Sequence, residues 1–409
     1  MSSAATARVP EGDDGSWSPP QHRERFRDAQ VGVSTESRLP LASGACHRSL
    51  LMNEMDTETD SSDLNSATIE KSNLCGVLVQ PRELRVLLRS VPAPAPGQVR
   101  VHVRNVGICG SDVHYWWHGS CGPFHLHDPM VIGHESAGVV EALGAGVTTL
   151  QVGDRVALEP GIPCLHCDRC RQGRYNLCQQ IRFFATPPVD GALARYVCHP
   201  ATWCYRLPES VSLEEGALCE PLSVAVHANR RAGTAIGSLV LVLGAGPIGL
   251  LSCMVAKAFG ASYVVVTDID DTRLAFARAH ASADAVVNTR DLDEGDAALV
   301  VRQAFGREEP DIALDFRSGG RICLVGMGAA EMRVPLVEAS SREVDIVGVF
   351  RYCNTYPTCL ALLASGRVNV KPLITHRFLG LEESSLQAAF ETARTAANGA
   401  VKVMLTIPD

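Results

Sequence analysis

The hydrophobic pattern changes character twice along the chain. From Met1 to about Ser72, apolar residues fall without period among Ser, Thr, Asp, Glu and Pro, which predicts an unstructured extension over residues 1–72. Ordered structure is expected from about Leu74. Val99–Val106, VRVHVRNV, alternates apolar and polar positions as a half-buried strand does. Short strands broken by Gly and Pro continue to about Pro208, with few helical periods, and predict an all-β, barrel-like domain. From about Leu222, strand and helix patterns alternate. Strands are predicted at Leu239–Leu243, Tyr263–Thr267, Ala285–Val287, Ile312–Asp315, Ile322–Val325 and Val344–Val349, and helices at Asp271–Ala283 and Ala297–Phe305. That alternation is the mark of a doubly wound parallel sheet. The tail carries two more helical patterns and a last strand, VKVMLTI, expected to rejoin the first domain.

The stretch Leu239–Asp268 organises this second half. Five apolar residues run into Gly244-Ala245-Gly246-Pro247-Ile248-Gly249, a G-x-G-x-x-G pattern, and a helix-compatible segment follows to Phe259. A second β-branched run then ends at Asp268, an acid about 20 residues on, which is the context that makes the glycine pattern informative. Gly244 permits the tight turn, Gly246 lets backbone approach a pyrophosphate, and Gly249 lets helix and strand pack closely. The helix N-terminus offers unpaired N–H groups to phosphate. Asp268 is placed to accept hydrogen bonds from a ribose diol, which favours NAD over NADP. A membrane span is the rival reading, since no charge lies between Arg231 and Lys257. Three glycines and a proline in the middle, with another buried strand directly after, argue against it.

Composition narrows the partners. The 409 residues suffice for two or three domains, and a 46% apolar content permits a large core. A net charge of −8 argues against nucleic acid, whose phosphates need a basic face. The N-terminus is polar and carries no secretory signal; Asp13, Asp14, Glu24 and Glu36 interrupt the arginines that a mitochondrial presequence would need. Fifteen cysteines without such a signal read as reduced thiols and metal ligands in a cytosolic protein.

Cys164-x2-Cys167-x2-Cys170-x7-Cys178 is the most specific metal signal. Four thiolates at short spacing close a tetrahedral zinc site and leave no position for substrate, so this site should be structural. A nucleic-acid zinc module would need basic surroundings, and the lobe is only weakly basic, with Arg169, Arg171 and Arg174 against Asp168. Upstream lie Cys109, His134-Glu135 and Glu220, a thiol, an imidazole and two carboxylates. A catalytic zinc wants about three such ligands and one open position. Singly, each residue is more often structural, and the residues alone do not assemble them.

The words GICGSDVHYW, DPMVIGHESAGVV, VGDRVALEPG, GRYNLC, ATPPVDG, EPLSVAVH, REVDIVGVFRYCNTYP and VNVKPLITHRF carry a resemblance. Their order resembles that of zinc-dependent medium-chain dehydrogenases, and more closely the sorbitol (L-iditol) and other polyol dehydrogenases, from about residue 74 to the end. The resemblance implies an α/β chain with a GroES-like β-barrel catalytic domain over 73–221, a Rossmann coenzyme domain over 222–355, and a return to the catalytic domain over 356–409. It implies NAD-linked oxidation of a polyol such as sorbitol, xylitol or L-arabinitol to a ketose, with one catalytic and one structural zinc, in a homo-oligomer, expected to be a tetramer. Cys109, His134 and Glu135 match the catalytic zinc positions, and Glu220 matches a carboxylate that acts through water or as an alternative ligand. Alcohol dehydrogenases of the superfamily put a cysteine where Glu220 stands; neighbouring Cys219 points about 100° away on a helix and does not replace it. Ser111 and His114 match a proton relay, which Glu135 or Glu220 would assist. Tyr115, Arg351 and Tyr352 match substrate contacts, joined by Glu220. Ile248, Asp268, Arg273, Val325, Gly326, Met327, Val349, Phe350 and Arg351 match NAD contacts, beside Gly244, Gly246 and Gly249. A dehydrogenase for another small alcohol is the nearest rival.

One departure stands out. Six residues, Phe316–Arg321, separate two strand candidates, whereas neighbouring parallel strands need a crossover of about a dozen residues. Against similar dehydrogenases the segment is short by about fourteen residues, the length of a turn and that crossover helix. The expected consequences are an uncovered sheet face and, as an alternative function, a fold-retaining protein with impaired catalysis. One arrangement open to the runs Ile312–Asp315 and Ile322–Val325 is an antiparallel hairpin around Ser318-Gly319-Gly320.

Overall fold

The computed structural model describes residues 72–306, 310–312, 319–326 and 334–408, together with the backbone of Thr59–Asp60. The extension expected over 1–72 lies outside these residues, except that Thr59–Asp60 pair antiparallel with Leu88 and Leu87. Ala313–Ser318 and Met327 also lie outside them.

The first half builds the predicted β domain. Strand β1 (Asn73–Gln80) folds back on β2 (Glu83–Arg89). The alternating run becomes β3 (Gln98–Gly107), whose odd-numbered valines 99, 101 and 103 are fully buried. After helix α1 (Gly110–His118) come β4 (Glu135–Leu143) and β5 (Arg155–Leu158), then β6 (Tyr196–Pro200) and β7 (Cys204–Arg206). Around β3 the order is β7-β5-β4-β3, with β6 also paired to β3.

Helix α2 (Cys219–Ala232) leads into the second half and spans the boundary expected between Pro221 and Leu222. The parallel core is β8 (Leu239–Leu243), β9 (Tyr263–Asp268) and β10 (Ala285–Asn288), with α3 (Pro247–Ala258), α4 (Asp271–His280) and α5 (Glu294–Ala304) as crossovers. Helix α5 starts three residues earlier than the apolar pattern suggests, because Asp293 accepts a hydrogen bond from Asp296 N and caps it. Helix α4 ends at His280 rather than Ala283.

Among the described residues, Ile312 pairs in parallel and not as an antiparallel hairpin would require. Ile312 bridges Val240 and Arg321, both in parallel, so the sheet continues past β8 into β11 (Arg321–Leu324) and β12 (Asp345–Gly348), again parallel. Hydrogen bonds from Leu241 N to Ile312 O, and from Arg321 N to Asp311 O, hold this order. Pairing into the sheet satisfies backbone groups on both sides of Ile312, whereas a hairpin would satisfy one. Leu243, Leu324 and Ile346 are 46%, 40% and 36% exposed, and the first two line the cleft at the glycine motif, while Leu241 and Val265 farther along the sheet are buried under α5. The tail, α6 (Tyr356–Ala364), β13 (Ile374–Leu379), α7 (Glu383–Thr395) and β14 (Lys402–Thr406), returns as expected, with β14 antiparallel to β3.

Candidate active site

Three strand ends meet at one group of side chains that could hold a metal ion. Strand β3 runs out through Gly107 into Cys109, the N-cap of α1; β4 begins at Glu135, directly after His134; and β14 supplies Lys402. The ligand atoms of Cys109, His134 and Glu135 lie within 4.8 Å of one another. A Cβ at Gly107 would overlap Glu135 Oε2, so only glycine lets that carboxylate lie against the strand. A thiol, an imidazole and a carboxylate brought this close fit a zinc that keeps a position open.

Two partners were not legible in the sequence. Asp112 is 1% exposed; it accepts from Cys109 N at 2.9 Å and from Gly133 N, and its Oδ1 lies 3.3 Å from His134 Nδ1. It therefore orients two of the three donors, as second-layer carboxylates do around metals. Lys402 is buried and donates to both oxygens of Glu135 at 2.7 and 2.8 Å. Asp112 sits three residues after Cys109, the spacing of a helix capping box, and that spacing was the available signal. Lys402 lies 267 residues from Glu135 in sequence, and no local pattern marks it.

Glu220 falls outside the three-donor group. It is 5% exposed and its Oε1 accepts from Tyr352 Oη at 2.9 Å. Burial, opposed by the charge of His134, pushes its carboxyl up to about 7. Cys219 is fully buried in the apolar core, away from the donors, as the helix geometry requires. Tyr115 is buried on α1, with its hydroxyl pushed up to about 12 by burial. The Arg351 guanidinium lies 3.8 Å over the Phe183 ring and donates to Thr186 Oγ1 at 3.2 Å. Burial lowers its pKa, and Tyr352 and Glu220 oppose that. Ser111 lies half-buried in the first turn of α1. His114 does not converge on the donors: it is exposed on α1 and stacks on His118.

The glycine motif forms a separate cleft of about 470 Å³, lined by Gly244, Gly246, Ile248, Gly249, Val325 and Gly326 among others. Gly244 adopts φ 93°, closed to most side chains. Gly246 caps α3, and nothing stands within 4 Å of where its Cβ would be, which leaves room for a phosphate. A Cβ at Gly249 would overlap the Gly244 carbonyl. Asp268 accepts from Ala245 N at 2.7 Å and from Asp270 N at 3.0 Å, so it braces the loop it was expected to serve. Arg273 is exposed one turn into α4. Val349 and Phe350 follow the end of β12 and lead to Arg351.

The four cysteines Cys164, Cys167, Cys170 and Cys178 gather as the spacing predicts, with Sγ atoms 3.5 Å apart for Cys167 and Cys170 and 3.9 Å for Cys164 and Cys170. All four donors are thiols, which suits a closed tetrahedral zinc.

Comparison with known proteins agrees with both halves. Residues 95–209 match the alcohol dehydrogenase GroES-like domain and residues 247–365 the zinc-binding dehydrogenase family. The chain is similar to a sorbitol dehydrogenase of Arabidopsis thaliana, 49% identical over 83% of this chain and 96% of that one. It is similar to an L-idonate 5-dehydrogenase of Vitis vinifera, 46% identical over 82% and 95%. In structure it resembles an Escherichia coli alcohol dehydrogenase complexed with NADH, at a TM-score of 0.74 and 28% identity, over 82% of this chain and 99% of that one.

Proposed function

The chain belongs to the zinc-dependent medium-chain dehydrogenases, within the sorbitol dehydrogenase family, and from that premise we propose how its own residues carry the reaction. It is an NAD-dependent polyol dehydrogenase that oxidises a polyol to a ketose. A protein that keeps the fold without the catalysis is the less favoured reading, because the likeness to dehydrogenases runs through both halves.

Cys109, His134 and Glu135 hold the catalytic zinc, and Gly244, Gly246, Ile248, Gly249, Asp268, Val325 and Gly326 cradle NAD. Bound there, zinc supplies Lewis acidity to a substrate hydroxyl and NAD accepts the hydride. Asp112 fixes the Cys109 and His134 donors, and Lys402 neutralises the Glu135 carboxylate. Glu220, with its carboxyl pushed up to about 7, is suited to hold or release a proton near the reacting hydroxyl. Ser111 starts a path from the cleft along α1 to exposed His114. Tyr115, Tyr352 and Arg351 bind the further hydroxyls of the polyol, and a site built to pair them rejects short alcohols. Cys164, Cys167, Cys170 and Cys178 hold the structural zinc.

One observation supports this reading most: a three-donor metal set stands in the same catalytic half as Glu220, itself hydrogen-bonded to Tyr352. The test is a steady-state panel of sorbitol, xylitol, L-arabinitol and ethanol with NAD and NADP. Turnover of a polyol with NAD, and none of ethanol, is expected; equal use of NADP overturns the cofactor assignment. We further propose a cytosolic homotetramer. No described helix is long and apolar enough to cross a membrane, and every described cysteine is a free thiol. Light scattering that gives a monomer refutes the tetramer.

A further inference from the structure

The four-cysteine lobe touches the substrate side of the molecule through one loop. Between Cys170 and Cys178 the chain offers Gly173, Tyr175 and Asn176. Asn176 Nδ2 donates to the Phe350 carbonyl at 2.8 Å. Asn354 N donates to Tyr175 Oη at 2.7 Å, and Asn354 Nδ2 to the Gly173 carbonyl at 2.8 Å. Three bonds thus tie both ends of the segment Phe350–Asn354 to a stretch of chain that lies inside the cysteine cluster.

The anchor itself is firm. Tyr175 is 8% exposed, packs edge-on against Trp203, and donates to Glu159 Oε1 at 2.7 Å; Tyr205 donates to the other oxygen of the same buried carboxylate at 2.9 Å. The tethered segment is strained. Arg351 and Asn354 both adopt left-handed backbone, at φ 51° and 55°, a conformation an arginine keeps only where surrounding contacts impose it. Between those two residues sits Tyr352, which reaches Glu220, and Arg351 itself reaches Thr186.

We propose that the four-cysteine lobe, through Tyr175 and Asn176, is a positioning element for polyol binding: it holds the 350–354 loop in the strained form that aims Arg351 and Tyr352 into the catalytic cleft. The inference rests on the assignment of Arg351 and Tyr352 as substrate contacts.

The test uses three variants of the full chain: Asn176→Ala, Tyr175→Phe and Arg351→Ala. Each is compared with the parent in zinc content, polyol KM and kcat, and deuterium exchange of the 350–354 backbone. Asn176→Ala and Tyr175→Phe each remove one tether and leave the four thiols. Both are expected to retain two zinc ions per chain, to speed exchange at 350–354, and to raise polyol KM about three- to tenfold, the value of one hydrogen bond. The exchange of the 239–268 segment should stay as in the parent. If Arg351→Ala leaves polyol KM unchanged, the substrate-contact assignment fails. If Arg351→Ala raises it while both tether variants leave KM and loop exchange unmoved, the assignment stands and the positioning role is wrong. Should Asn176→Ala fail to fold, Tyr175→Phe carries the same readouts.

Discussion

The ammonium of Lys402 stands 2.7 and 2.8 Å from the two carboxylate oxygens of Glu135, and both side chains are buried. The pair joins the last strand to a proposed metal donor on β4, across the Gly107 end of β3. Removing one partner of a buried ion pair leaves an unpaired charge and costs about 3–5 kcal/mol, whereas removing both is far milder. Lys402→Met is therefore expected to lower the melting temperature and to cut kcat/KM by more than tenfold. The double variant Lys402→Met/Glu135→Gln should recover much of the stability and none of the activity. Calorimetry beside steady-state kinetics checks this; a single variant that melts and turns over like the parent rules it out.

The two cysteine sites should fail in different ways. Cys109 is proposed as one of three donors at an open site, so Cys109→Ser is expected to abolish turnover in a folded chain. Cys167 belongs to a closed site whose metal contributes folding energy, so Cys167→Ser should lower stability or soluble yield. Each variant should lose one of two zinc ions. Metal analysis of the parent decides the premise: one ion or none per chain refutes the assignment.

What the sequence made legible follows the reach of each interaction. Local words carried far: the alternation of Val99–Val106, the G-x-G-x-x-G turn and the cysteine spacing each fix geometry within a few residues, and each formed as read. Contacts between distant strands did not carry. Lys402 was missed because its partner is reached only after the tail returns to β3; Asp112 was missed although its capping-box spacing to Cys109 is local. Ile312 shows the same limit from the other side. Its short connection to Arg321 suggested a hairpin, but a neighbour 72 residues away, Val240, offers a parallel bridge that satisfies more backbone.

Asp268 has two tasks. It braces the glycine turn through Ala245 N, and its proposed second task is to accept from a ribose diol. Asp268→Ala should raise the KM for NAD about tenfold or more, since a buried donor at Ala245 loses its acceptor while the ribose loses a partner. The same change removes the charge that repels a 2′-phosphate, so the ratio of kcat/KM for NAD over NADP should shrink. A variant that keeps the parent's ratio assigns Asp268 to the turn alone.

Glu159 provides a pH signature for the buried junction under the cysteine lobe. Burial pushes its carboxyl from 4.5 up to about 7, against the pull of the Tyr175 and Tyr205 hydroxyls and with a smaller push from the charge of Glu220. A carboxyl whose pKa is higher in the folded chain than in the unfolded one binds its proton more tightly when folded. Its contribution to stability is therefore greatest below about 4.5, falls as pH rises through the window to about 7, and is level above that. Glu159→Gln keeps the shape and cannot ionise. Relative to the parent, the variant is expected to gain in melting temperature as pH is raised from about 5 to about 8, with most of the change complete by about 7. Thermal melts of both proteins across that range make the comparison, since effects of other titrating groups cancel between them. A difference that stays flat with pH, or grows in the opposite direction, means that Glu159 is already ionised at low pH in the folded chain and that the tyrosine hydroxyls outweigh its burial.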